Sequence, residues 1–211
     1  MAVTGLVFIG YVLLHMYGNL KIFAGRDAFD TYAHHLRTIG EPFLPYAGLI
    51  WILRAVLLVS LVVHVYSAVT LWRRARGART QRYSVHKRLA ATWSSRTMRY
   101  GGLFLLLFVI FHLLHLTTHT INPGGAQDSP YDRVVTSFSP DNWWVPVVYL
   151  LAMGALALHL RHGTWSAAQT LGMTNSPATR RAANLAGYTL AVVIAGGFAL
   201  VPLAVLVGIV D

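Results

Sequence analysis

The chain has 211 residues, 55% of them hydrophobic and only 11% charged, with a formal net charge of +10 and no cysteine. Such a composition leaves room for about five apolar spans of ~20 residues joined by short connections, and excludes a separate soluble domain. It also excludes a thiolate-held iron–sulfur cluster, a disulfide or a cysteine nucleophile built from this chain alone. The basic excess lies beside the spans, where membrane orientation accounts for it more simply than nucleic acid does.

The first span is predicted over residues 2–23 and carries His15. It opens without a basic n-region or a small-residue cleavage site, so a removed signal peptide is not expected. A polar connection over residues 24–45 follows, with Asp27, Asp30, His34, His35 and Glu41; its prolines and Gly40 mark a turn. The second span, residues 46–72, carries Arg54 and His64, and a strongly basic segment over 73–96 includes His86. The third span, residues 99–120, holds His112, His115 and His119. At about 100° per residue, His115 stands roughly 60° and His119 roughly 20° from His112, so all three share one side of an ideal helix. Residues 122–142 are rich in Gly, Pro and Asp and read as an irregular loop. The fourth span, residues 143–162, carries His159 and His162 and continues as an interfacial helix over 165–173. Pro177 and Thr179 open a new segment, and the fifth span covers residues 184–209. The expected fold is therefore an all-α integral membrane protein of five transmembrane helices. The first four are expected to bundle around redox centres, and all 211 residues form one transmembrane domain.

Charge sets an expected orientation. Nine Lys/Arg lie between the second and third spans, and Arg161, Arg180 and Arg181 join them on that side. The other side has Lys21, Arg26, Arg37 and Arg133 together with all seven acidic residues. The positive-inside rule places the basic side in the cytoplasm, with the N-terminus inside and the C-terminus outside.

Depth then follows from the rise of about 1.5 Å per residue. His15 and His112 each lie roughly 20 Å from the cytoplasmic end of their spans, whereas His64 and His159 lie roughly 12 Å from it. Two depth-matched pairs result, His15 with His112 in the outer half and His64 with His159 in the inner half. A haem iron takes two axial imidazoles, and facing helices of a bundle supply them. A single buried histidine is more often a hydrogen-bonded core residue. Four of them, one per span and paired by depth, fit ligation of a redox centre better. Gly18 and Gly163, close in sequence to His15 and His159, offer small neighbours for a porphyrin.

Other residues form a second tier. His115 and His162 suit a propionate, a quinone or another helix, and Arg54 suits a propionate or quinone oxygen, or snorkels to the outer surface. Glu41 and His119 suit an outer quinone site. Ser95 and Arg96, at the cytoplasmic start of the third span, suit a quinone carbonyl, and equally a helix cap or a lipid phosphate. His34, His35 and His86 read as solvated loop residues.

The stretches MAVTGLVFIGYVLLHMYGNLKIF, RTMRYGGLFLLLFVIFHLLHLT and YLLAMGALALHLRHGTWSAAQTLG resemble the cytochrome b558-type, single-chain five-helix membrane anchor of succinate dehydrogenase and fumarate reductase, respiratory complex II. HLRHGTWSAAQTLG is the most specific part. The resemblance implies a multi-pass subunit of a bacterial cytoplasmic membrane that itself has no succinate site. It implies a flavoprotein subunit with FAD and an iron–sulfur subunit docked on the cytoplasmic side, and electron transfer to menaquinone or ubiquinone. It also implies up to two haem b groups, with His15 and His112 on the outer one and His64 and His159 on the inner one; such anchors vary in haem content. A haem-b membrane subunit of another respiratory dehydrogenase or reductase is the alternative, and the absence of an acid inside any span speaks against a proton-coupled transporter.

Overall fold

The computed structural model describes residues 1–78 and 93–211. Among the described residues all regular structure is helical: α1 (Ala2–Leu20), α2 (Arg26–Thr38), α3 (Gly48–Gly77), α4 (Trp93–Leu116), α5 (Pro130–Phe138), α6 (Trp144–Thr170) and α7 (Pro177–Leu206). Five stretches are long and apolar enough to cross a membrane: Ala2–Ala24, Gly48–Gly77, Thr97–Leu116, Trp144–Thr170 and Pro177–Leu206. The short helices α2 and α5 lie at one end of this bundle, termed the capped end below.

Both short helices fall where the sequence suggests connections. Helix α2 starts after Gly25, whose φ of 91° lets the chain turn out of α1. Asp27 in its first turn and His35 and Arg37 in its last complement the helix dipole. Helix α5 has a cap of its own: the Ser129 hydroxyl accepts from the amides of Tyr131 and Asp132, and Pro130 occupies the first turn. The two are then fastened together. Asp30 accepts from the Ser129 hydroxyl and from the Tyr131 amide at 3.0 Å. Arg26 pairs with Asp132 and lies 5.2 Å from the Tyr131 ring centroid. The hydrogen bond to Asp132 raises the Arg26 pKa above its ordinary value. These short polar segments become helices here through the Ser129 cap of α5 and the long-range Asp30 and Arg26 contacts that join the two.

The helix ends also differ from the sequence reading. Helix α4 stops at Leu116, because the amides of Thr117 and Thr118 both turn back to the Leu113 carbonyl. His119 lies beyond it with a left-handed backbone, φ 57°. The shared-face argument therefore holds for His112 and His115 but not for His119. Helix α6 runs unbroken to Thr170, and Gly172, φ 74°, turns the chain toward α7. There Ser176 and Thr179 form a reciprocal capping box before Pro177 begins the helix.

The most extensive helix contact joins α6 to α7. Gly187 makes it possible: a Cβ there would sit 2.8 Å from the Arg161 carbonyl oxygen. The packed core thus extends to the fifth span. Ile194 and Ala195 of α7 are buried with Leu160, Ala152 and Met153 of α6. At the capped end Val201 and Val205 of α7 meet Tyr149, Phe138 and Tyr131. Helix α3 is the opposite case, with only Ser60 buried along its length, and it rests chiefly on α1.

Candidate functional site

Helices α1, α3, α4 and α6 each present one of the four depth-matched histidines. The rings of His15 and His112 lie 5.9 Å apart, centroid to centroid, and those of His64 and His159 lie 6.3 Å apart. On α4, Gly102, beside His159, precedes His112 by ten residues, so the two pairs are separated by roughly 15 Å along the bundle.

Hydrogen bonds engage one nitrogen of His64 and one of His112. At the pair remote from the cap, the Thr4 hydroxyl lies 3.0 Å from both the Met1 carbonyl oxygen and His64 Nδ1; donating to the carbonyl, it accepts from a protonated Nδ1 and leaves Nε2 with the bare lone pair. His159 Nδ1 is buried without any hydrogen-bond partner. Both rings lie against glycines of neighbouring helices: a Cβ on Gly5 would be 4.0 Å from His64 Cε1, and one on Gly102 would be 3.7 Å from His159 Cε1.

At the pair nearer the cap, His112 Nδ1 meets the Tyr149 hydroxyl at 3.1 Å and leaves Nε2 unengaged. The His15 ring is stacked on Tyr11 at 5.5 Å and flanked by Phe198 of α7 at 5.5 Å. Neither His15 nitrogen bonds to protein among the described residues.

His115 is different. It is 2% exposed, with Nδ1 3.0 Å from the Tyr149 hydroxyl and Nε2 2.9 Å from Ser137 Oγ. Both nitrogens are taken, so His115 has no lone pair for a metal in this arrangement. His119 Nε2 lies 2.7 Å from an Arg133 guanidinium nitrogen, which can only donate, and its Nδ1 lies 3.3 Å from the His115 carbonyl. Arg133 also donates to the carbonyls of Gln127 and Asp128, at 3.2 and 3.3 Å, so His119 belongs to a hub that shapes the loop before α5. His162 makes no hydrogen bond or ring contact among the described residues.

Arg54 is exposed, and its guanidinium lies 4.7 Å from the Trp51 ring centroid, one turn nearer the capped end. It also lies within electrostatic reach of the Tyr11 phenol. Glu41 is exposed and makes no side-chain hydrogen bond among the described residues. No contact links Glu41, Arg54 and His119. The side chains of Ser95 and Arg96 lie outside the described residues, as does His86. Just beyond them, Thr97, Tyr100, Gly101 and Phe104 of α4 face Ala155, Leu158 and His159 of α6 across a cleft of about 360 Å3. The helix surfaces at this end are basic: Trp72 is flanked by the guanidinium groups of Arg76, at 5.1 Å, and Arg99, at 5.8 Å.

Sequence reasoning misassigned the small residues. Gly18 faces the Tyr32 ring of α2, where a Cβ would be 2.9 Å away, and Gly163 faces open space. The glycines that border histidines are Gly5 and Gly102. Thr4, Tyr149 and Ser137 also went unmarked, since hydroxyls in apolar spans give no periodic signal.

The donor set suits some groups and not others. Among the described residues no three His, Cys, Asp or Glu side chains are grouped to hold a metal ion. Isolated imidazole pairs fit a metal whose remaining positions are filled by its own macrocycle. Two imidazoles sharing one metal through bonds of about 2 Å each place their centroids roughly 6 Å apart. Both observed pairs have that separation, and the unpartnered His159 Nδ1 and the glycine borders agree with it.

Comparison with known proteins adds one finding. Residues 70–204 match the family model described as succinate dehydrogenase/fumarate reductase transmembrane subunit. No curated protein matches the chain, and no solved structure does.

Proposed function

The chain belongs to the succinate dehydrogenase/fumarate reductase transmembrane-subunit family, and from that premise we propose that it carries electrons between an iron–sulfur subunit and membrane quinone, through two haem b groups held by His15 with His112 and by His64 with His159. Membership makes it a multi-pass membrane subunit of an enzyme complex. The finer reading rests on one observation: two imidazole pairs at 5.9 and 6.3 Å, stacked along one bundle. Haem held there would take single electrons from an iron–sulfur donor and pass them on to the two-electron acceptor quinone.

The chain's own residues orient and insulate. Thr4 engages Nδ1 of His64 and Tyr149 engages Nδ1 of His112, which leaves Nε2 of each ring for the metal. Tyr11 and Phe198 fix the His15 ring. The basic end, with Arg76 and Arg99 on Trp72, is the face proposed to meet the iron–sulfur and flavoprotein subunits, and the orientation rule puts it in the cytoplasm. The cleft bordered by Thr97, Tyr100 and His159 is the proposed quinone position at that end. It adjoins Ser95 and Arg96 in sequence and sets the Tyr100 phenol beside apolar walls, as an isoprenoid quinone requires.

A reduced-minus-oxidised spectrum of the purified complex tests this. The expected result is a b-type α-band equivalent to two haems, falling by half in His64→Ala and in His112→Ala. A complex free of haem with intact succinate:quinone activity would overturn the haem assignment while leaving the family membership in place.

A further inference from the structure

Tyr149 is 7% exposed, sits in an otherwise apolar stretch of α6, and meets two imidazoles with one hydroxyl. We propose that Tyr149, backed by His115 and Ser137, is a positioning residue that fixes the tautomer of His112 and sets how strongly this imidazole donates to the haem of the capped-end pair. This rests on the haem reading above.

Proton counting carries the argument. The Tyr149 hydroxyl has one proton, and each neutral imidazole has one. Hydrogen bonds join His112 Nδ1, Tyr149 Oη, His115 Nδ1, His115 Nε2 and Ser137 Oγ in series, at 3.1, 3.0 and 2.9 Å across the three contacts. Such a series has two polarities. In one, Ser137 donates to His115, His115 to Tyr149, and Tyr149 to His112; the His112 proton then sits on Nε2 and blocks a metal. In the other, His112 Nδ1 donates to Tyr149, Tyr149 to His115 Nδ1, and His115 Nε2 to Ser137. Only the second leaves His112 Nε2 bare. Binding through Nε2 therefore selects the direction of the whole series, and the series in turn holds the ligand in its binding tautomer.

The setting strengthens the effect. Phe108 and Phe138 pack against the Tyr149 ring at 5.0 and 4.9 Å, so the bonds operate in a dry environment. An acceptor behind a ligand N–H raises ligand basicity, which favours the oxidised metal and lowers its potential. Phenylalanine keeps the same ring packing at this position and removes only the hydroxyl.

The test is a redox titration of the purified complex carrying Tyr149→Phe, with His112→Ala identifying which haem component belongs to this pair. The expected result is a full haem complement and a raised midpoint for that component alone. Tenfold less preference for the oxidised state corresponds to about 59 mV for a one-electron couple. The g-values of its low-spin ferric signal shift as well, since the ring loses its restraint. Unmoved potential and g-values in haem-replete Tyr149→Phe overturn this inference alone, whereas a haem-free wild-type complex overturns it together with the haem reading. If Tyr149→Phe loses this haem, Ser137→Ala decides, because it leaves Tyr149 in place: a smaller rise supports the series, and an unchanged potential overturns it.

Discussion

Gly187→Ala is expected to cost stability out of proportion to one methyl group. A Cβ at this position would lie 2.8 Å from the Arg161 carbonyl oxygen, where ordinary contact begins near 3.4 Å. The obstacle is backbone, itself hydrogen-bonded within α6, so a rotamer change cannot relieve it. Helices α6 and α7 must part by about 0.6 Å, and overpacking of this kind costs about 1–3 kcal/mol. Alanine returns about 0.5–1 kcal/mol relative to glycine inside a helix. The net loss centres on about 1 kcal/mol, a fall of roughly 2–4 °C for a domain of this size. Gly196→Ala is the internal control, because on the same helix nothing lies within 4 Å of its would-be Cβ. It is expected to match or exceed the wild type. Thermal unfolding of the two variants in detergent, within the purified complex, provides the comparison. Arg161 lies two residues past His159, so Gly187→Ala should also reduce haem retention at the His64–His159 pair. Equal melting temperatures for the two variants would refute the close-contact reasoning.

Other expectations follow from single contacts. Thr4→Val removes the acceptor for His64 Nδ1 while keeping side-chain volume; metal affinity at that pair should drop about 10–100-fold, and Thr4→Ser should restore it, as haem content of the variants will show. His115→Gln is expected to keep both haems, since His115 already uses both nitrogens in hydrogen bonds; loss of a haem α-band equivalent to that of His112→Ala would instead make His115 a ligand. Ser176→Ala removes one half of the capping box of α7 and should destabilise the chain by about 1 kcal/mol, measurable as a lower melting temperature with an unchanged haem spectrum.

The five spans were legible because apolar length is a property of the sequence alone. The histidine pairing was legible for a related reason: once spans alternate in direction, depth is simple counting, and His15 with His112 and His64 with His159 are indeed ring neighbours. What failed depended on lateral contacts. Gly18 was read by its closeness to His15 in sequence, but its neighbour is Tyr32, brought back over it by α2. Gly5 and Gly102 border histidines of other helices, and no spacing along one chain segment encodes that. Helices α2 and α5 were hidden because their stabilisation is mutual, through Asp30, Ser129, Arg26 and Asp132. The face shared by three histidines was an ideal-helix extrapolation, and it ended where α4 did, at Leu116.

The fastening of α2 to α5 has a consequence for biogenesis. Its bonds join residues 99 to 106 positions apart, so α2 emerges and waits while α3 and α4 are inserted. Only after α5 follows can Asp30 cap it and Ser137 reach His115, and Phe138 meets Tyr149 once α6 has followed in turn. Helix α6, with Tyr149 and His159, follows α5 in the chain, so the cover emerges before the histidine-bearing interior is complete. A defect in the Asp30 contacts should act as a maturation fault, leaving inserted helices with an unfinished roof, before it acts as a fault in electron flow.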